Sequence, residues 1–175
     1  TYYMPMSAGV DPETGKAQWH WFKKEYDDDG NVIKDEMGNP VGEWKITDVY
    51  QNVGSDNDSW SLLMCSMPKV FGGFNTTLFA YGIDLSIAFD YQLGGTMYDG
   101  SYAGYLSAPN ASSVGKNIHL DAYNAWTPDN RDSQQPRFQY DDLYMNSTSD
   151  RFLISSNYLN ISNISIGYTF PAKWF

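Results

Sequence analysis

The sequence predicts an all-β chain of antiparallel strands joined by one tight turn and by long loops, on three observations. The stretch "GIDLSIAFDYQLGG" (82–95) alternates, with Ile83, Leu85, Ile87, Phe89 and Tyr91 apolar or aromatic and Asp84, Ser86, Ala88, Asp90 and Gln92 small or polar. That is the period of a strand with one greasy face and one wet face. Apolar spacings of three and four are scarce, and Gly, Pro, Asn, Asp and Ser punctuate the chain throughout, which disfavours helices. Aromatic residues make up 17%, with 14 Tyr, 9 Phe and 6 Trp, several near the ends of alternating runs; such residues favour strands and gather at the two interfaces of membrane barrels. Alternation by itself fits two architectures: a half-buried sheet over a soluble core, such as a secreted or surface β-sandwich whose aromatics bind carbohydrate, or a membrane barrel with lipid outside and water inside.

A first strand is expected near 1–8, around Tyr2 to Ser7, and the Asp-Pro and Gly of "GVDPETG" turn the chain after it. Ala17 to Tyr26 alternates around "QWHWF", and "DDDGN" and "EMGNP" supply two further turns with "VIKD" between them. Residues 9–67 therefore read as a large excursion carrying hairpins. Strands near 68–81 and 83–95 are joined by "AYGID", a tight connection within 81–83 centred on Tyr81 and Gly82, because Gly accepts turn dihedrals. No Lys or Arg occurs between Val70 and Gly115, whereas a soluble sheet edge often carries lysine. Residues 96–150, rich in Gly, Ser, Asn, Asp and Tyr, show little periodicity and read as a long loop, which at this length is either functional or holds structure that periodicity does not reveal. A last strand is expected near 151–170. Its apolar residues fall on odd positions at Leu159 and Ile161, then on even ones at Ile164, Ile166, Tyr168 and Phe170. The slip near Ser162 and Asn163 predicts a β-bulge or a register change.

Composition removes several function classes. At 175 residues the chain is long enough for an ordinary domain core. Its 42% of apolar residues never run to the roughly 18 in succession that a membrane helix needs, while a mean hydropathy of -0.49 is compatible with barrel strands. A net charge of -10 and a pI near 4.3 argue against a nucleic-acid-binding surface. The single cysteine, Cys65, has no partner for an internal disulfide and no Cys/His cluster of zinc spacing around it. "TYYMPMSAGV" shows no secretion signal, so either the protein stays inside the cell or its beginning is missing.

No catalytic motif is present: no Gly-x-Ser-x-Gly elbow, phosphate loop or His-Glu-x-x-His. His20 and His119 are lone histidines that read as structural or solvated. Asp141 and Asp142 are adjacent, whereas glycosidase carboxylates stand about 5 to 9 Å apart across a sugar. Neither an enzyme nor a cofactor is expected. "DDDGN" (27–31) offers clustered oxygens for calcium but lacks the remaining EF-hand ligands, and reads as a hydrated turn. Sequons at Asn57, Asn75, Asn110, Asn146, Asn160 and Asn163 reflect Asn and Ser abundance, three of them lying in expected strands.

The stretches "PKVFGGFNTTLFAYGIDLSIAFDYQLGGTMYD", "DAYNAWTPDN" and "STSDRFLISSNYLNISNISIGYTFPAKW", with "AGVDPETG" upstream, resemble the late barrel of SusC/RagA-family TonB-dependent outer-membrane transporters. They cover about half of the chain in the family's order; 23–66 matches poorly, as a variable external loop does. The resemblance implies one piece of a barrel of about 22 strands around a plugged lumen. It implies import of glycans or peptides across the outer membrane of a Gram-negative bacterium of the Bacteroidota, powered by TonB and aided by a SusD-like surface lipoprotein. The plug and the TonB-contacting region are missing, and "PAKWF" stops before the family's final strands, with Phe175 following Pro171 and Lys173 rather than an alternating strand, so truncation is expected.

Barrels of this kind have short periplasmic turns and long extracellular loops, which puts 81–83 in the periplasm and 9–67 and 96–150 outside. Ile83, Leu85, Ile87, Phe89 and Tyr91 then face lipid, and Asp84, Asp90 and Gln92 face the lumen. Tyr123 and Trp126, with flat faces for stacking, and Arg137, Asp141 and Asn146, with hydrogen-bonding groups, are the candidate substrate contacts. The competing occupation for those five is packing the loop or touching the lipoprotein.

Overall fold

The computed structural model describes residues 1–111, 115–171 and 173; Phe175 and part of "PAKWF" lie outside them. Ten strands follow one another: β1 (Tyr3–Pro5), β2 (Ser7–Val10), β3 (Ala17–Lys24), β4 (Gly42–Thr47), β5 (Trp60–Leu62), β6 (Val70–Ala80), β7 (Ile83–Leu93), β8 (Thr96–Tyr98), β9 (Leu153–Ser155) and β10 (Tyr158–Tyr168). Two short helices, α1 (Gln51–Gly54) and α2 (Gly100–Tyr105), lie between strands. The chain divides into one unit of residues 1, 64–97 and 154–175 and another of residues 2–63 and 98–153.

The first unit is built on the antiparallel sheet β10-β7-β6. β6 and β7 pair without a slip from Val70↔Leu93 to Ala80↔Ile83. Tyr81 and Gly82 form the two-residue connection with φ of 51° and 82°. Positive φ at both central residues is the signature of a turn whose twist matches the flanking strands. β7 also pairs with β10 from Tyr158↔Gln92 to Tyr168↔Ile83, and the register shifts between Ile161 and Asn163, where the apolar phase slips in the sequence. The strand expected over 151–170 is divided. Its first part is a 3-10 turn (Asp150–Phe152) and β9, and the break at Ser156 and Asn157 is occupied by hydrogen bonds to β7: Gln92 Nε2 donates to Ser156 Oγ at 3.0 Å and the Gly94 N–H to Asn157 Oδ1 at 2.6 Å.

In the second unit the strand expected near 1–8 is split at Met6. β1 pairs with β5, β2 pairs with β3, and the Met6 carbonyl accepts the His20 N–H at 2.9 Å, so the chain changes partner there. β2, β3 and β4 form an antiparallel sheet within the excursion 9–67. Residues 98–153 are not bare loop: Ala103 and Leu106 pack against Phe152, with Tyr98, Tyr102 and Ala122 around them. α2 starts where the Asp99 carboxylate caps the Tyr102 N–H at 2.8 Å. Lys24, at the end of β3, sits between Asp56 at 2.7 Å and Asp58 at 2.6 Å, and hydrogen bonds to these carboxylates hold its ammonium well above the ordinary lysine pKa.

Between β3 and β4 the pattern Asp-x-x-Gly-Asn occurs twice, at 27–31 and 35–39, and folds alike both times. Asp27 Oδ1 accepts the N–H of Asp29 at 3.1 Å and of Asn31 at 2.8 Å, while Asp35 Oδ1 accepts those of Met37 and Asn39, both at 2.9 Å. The two turns bring Glu25, Ile33 and Val41 into a closed ring of backbone bonds, Ile33 N–H to Glu25 O, Val41 N–H to Ile33 O and Glu25 N–H to Val41 O, each 2.9 Å. This pairing replaces the isolated hairpins expected from two turn signals.

Backbone donation from Asn31 and Asn39 holds the Asp27 and Asp35 carboxyls below the ordinary 3.8. A carboxyl depressed in the folded state contributes stability above its unfolded pKa and loses it as pH falls through the folded value. Hydrogen-exchange protection at Asn31 and Asn39 should therefore hold down to about pH 4 and fall below it. Protection unchanged in a D27A/D35A double variant would show that the carboxylates do not hold these turns.

Candidate functional site

The central feature is the segregation of side chains on the β10-β7-β6 sheet. Cross-strand register places Val70, Gly72, Phe74, Thr76, Leu78 and Ala80 of β6 on the face of Ile83, Leu85, Ile87, Phe89 and Tyr91. Before the register shift, Leu159 and Ile161 of β10 oppose Tyr91 and Phe89; after it, Ile164, Ile166 and Tyr168 oppose Ile87, Leu85 and Ile83. The bulge absorbs Ser162, whose hydroxyl donates to the Ala88 carbonyl at 3.2 Å, and so keeps both halves of β10 apolar on one side. Phe74 and Phe89 stack across the pair with centroids 4.6 Å apart.

This apolar face is open. Leu159 is 67% exposed, Ile166 73%, and Leu78, Ile161 and Ile164 are also exposed. The other strands that reach into this unit, β8 and β9, pair with each other over three residues each and leave these side chains exposed, whereas a sandwich requires a facing sheet that buries them. Tyr168 stands at the turn end of the face and Tyr91 near the other, where Val70 and Leu93 lie beyond it. The opposite face carries Asp84, Ser86, Ala88, Asp90 and Gln92 with Asn75, Thr77, Asn160, Asn163 and Ser165, and three aromatics at its ends, Phe79 across from Asp84 and Phe71 and Tyr158 across from Gln92. Asp84 and Asp90 are the sole charged residues of the three strands. Each faces a glycine: Asp84 lies over Gly167, where a Cβ would collide with its carboxylate, and Asp90 lies beside Gly73.

Both outer edges, of β6 and of β10, lack a neighbouring strand among the described residues. Neither strand carries a lysine, another charge or a proline, the devices that keep soluble edges apart.

The five candidate contacts lie in the other unit. Tyr123 stands in a 3-10 turn (Leu120–Asn124) and is 85% exposed. Trp126 is half-buried: its Nε1 donates to the Pro12 carbonyl at 3.1 Å and its indole lies on Gly15 so closely that a Cβ there would collide. Arg137 grips the same turn, its backbone N–H donating to Gly15 O at 2.7 Å and its Nη1 to Thr14 O at 3.3 Å; its buried Nε has no acceptor among the described residues. Asn146 Nδ2 donates to Ala103 O at 2.8 Å. Asp141 is exposed with a φ of 63°, while its neighbour Asp142 accepts the N–H groups of Tyr144 and Met145. Tyr123 and Asp141 thus keep free surface, and Trp126, Arg137 and Asn146 hold the fold of their unit. Among the described residues no group of three or more His, Cys, Asp or Glu could hold a metal ion.

No protein-family model matches the chain, and no curated protein matches it significantly. Among solved structures it is similar to one chain of the RagAB peptide importer in the "closed-closed" state, with a TM-score of 0.67 over 100% of this chain and 23% sequence identity. The fold matches a stretch of a β-barrel transporter. The chain spans 17% of the length of that importer chain, and at this identity the likeness concerns the fold: antiparallel strands with few helices, not closed into a barrel.

The bulge gives a direct test of the two-faced register. Deleting Ser162 leaves "LNINISIGY", which alternates without interruption, so the variant should assemble with near wild-type resistance to heat in detergent. Deleting Ser165 turns Ile166 and Tyr168 to the polar face and should abolish assembly. Equal behaviour of the two variants would contradict the register.

Proposed function

We propose that the chain forms part of the barrel wall of a SusC-like, TonB-dependent importer in the outer membrane, taking up oligosaccharides or peptides with a SusD-like surface lipoprotein. The observation that carries this reading is the uncovered apolar face of β6, β7 and β10, backed by a polar face holding both carboxylates. Lipid covers such a face at no cost, and a water-filled or plugged lumen suits the other. The dimensions agree: eleven residues at about 3.3 Å each give roughly 36 Å, which at a tilt of about 40° spans roughly 28 Å, against an apolar band of about 25 Å.

The open edges support the same reading. Each unpaired backbone group in hydrocarbon costs several kcal/mol, so in a membrane β6 and β10 need further strands beside them. The turn at Tyr81 also fits: tight turns of this type favour Asn at the first central position, yet the residue is a tyrosine, 99% exposed, a side chain that settles at the edge of a bilayer. On this reading 81–83 faces the periplasm and 9–67 and 96–150 lie outside, where Tyr123 and Asp141 are the residues free to meet cargo. Trp126, Arg137 and Asn146 shape that segment.

Single cysteines placed in the full chain in a Cys65→Ser background test the proposal. In intact outer membranes a water-soluble maleimide should label positions 84, 90 and 92 and spare 85, 87 and 89, and a lipid-phase quencher should act on probes at the second set. Labelling of both sets by the aqueous reagent, or protection of both, would overturn the barrel reading. With the barrel established, loss of oligosaccharide or peptide uptake on deletion of the gene, and recovery of a surface lipoprotein with the tagged chain, test the importer assignment.

A further inference from the structure

A second polar feature lies away from the sheet, in the unit of residues 2–63 and 98–153. Ser7, Tyr102, Gln134, Gln135, Asp150 and Arg151 line a cleft of about 410 Å³. Arg151 comes from the 3-10 turn Asp150–Phe152, is part-buried, and holds its guanidinium over the buried ring of Phe152 at 5.2 Å from the centroid.

Its partners are all neutral. Nη1 donates to the Met145 carbonyl at 3.0 Å, and Nη2 donates to Gln135 Oε1. The nearby carboxylates are turned elsewhere: Asp150 Oδ1 accepts the Ser7 N–H at 2.7 Å, and Asp121 Oδ2 accepts the Tyr102 hydroxyl at 2.5 Å. No ion pair forms at Arg151 among the described residues, whereas Lys24 in the same unit has two carboxylates in contact. A shielded guanidinium without a counter-charge is strongly unfavourable. Accordingly, burial pulls its pKa below the ordinary arginine value.

We propose that this cleft binds a carboxylate-bearing ligand, with the ligand's carboxylate paired to the Arg151 guanidinium. Two of its five N–H donors are engaged, and the planar fork that remains suits the two oxygens of a carboxylate. Gln135 is fixed from its other end, Nε2 donating to the Tyr102 hydroxyl at 3.1 Å, so the guanidinium is held in place before any ligand arrives. Asp150 on the same rim disfavours a dianion such as phosphate and offers an acceptor for a donor group beside the carboxylate. The chemistry fits both the terminal carboxylate of a short peptide and the carboxylate of a uronic acid.

The inference stands apart from the importer reading: failure of the cleft would leave the lipid-labelling pattern unchanged. The test is binding to the full chain purified in detergent, with four probes: N-acetyl-trialanine, its C-terminal amide, trigalacturonate and its methyl ester. An acid should bind at least about tenfold more tightly than its neutral counterpart, and the preferred acid identifies the source. Arg151→Gln should lose that preference, while Arg151→Lys, which preserves the charge, should keep part of it. Equal binding of acid and neutral probes, no binding of either acid at millimolar concentration, or wild-type preference in folded Arg151→Gln would each overturn the assignment. The wild-type comparison decides the matter even if the glutamine variant fails to fold.

Discussion

Hydrogen bonding of β7 to a neighbour on each side is the constraint on which the rest of the sheet depends. Once its register with β6 and β10 is fixed, every side chain of the three strands is assigned to a face, and a slip of one residue reverses the assignment. The bulge at Ser162 is the consequence of that rule in β10. Glycine answers the same rule on the polar side: Gly167 and Gly73 leave room for Asp84 and Asp90 on one neighbouring strand, while Phe79 and Asn160 stand across from them on the other. The sheet therefore concentrates its charge on one side without crowding it.

The unit of residues 2–63 and 98–153 is organised by different forces. Short strands give it little ladder, so buried aromatic and aliphatic side chains supply the packing: Trp19 against Tyr50 at 5.1 Å, and Phe152 with Leu106. Side-chain oxygens then satisfy backbone donors, as Asp27 and Asp35 do in their own turns and as the Ser59 hydroxyl does for the Phe22 N–H of β3 at 3.0 Å. A segment so tied presents Tyr123 and the Arg151 cleft from a defined frame.

What could be read from the sequence was what local periodicity carries. The alternation of 83–91, the turn at Tyr81 and Gly82 and the phase slip at Ser162 each report a geometry set within a few residues, and the structure contains all three features. The division of 1–8 at Met6 and of 151–170 at Ser156 depends on partners distant in sequence, and no period announces them. The two turns at Asp27 and Asp35 were visible as "DDDGN" and "EMGNP", but the closed ring through Glu25, Ile33 and Val41 was not, because those residues meet through backbone alone. Among the candidate contacts, residue type marked Trp126 and Arg137 as able to bind, while their hydrogen bonds to the turn around Gly15 depend on chain partners more than 100 residues away. Arg151, unremarkable in sequence, gains its character from burial.

The strand order β10-β7-β6 also dictates a sequence of events in assembly. β6 and β7 are consecutive and joined by two residues, so their hairpin can close in microseconds from local contacts. β10 reaches β7 only after the whole stretch from Gly94 to Asn157 has been spanned, and the entropy of that closure falls on the last step. Until then the outer edge of β7 is as unpaired as that of β6, an interval in which exposed strand edges favour aggregation.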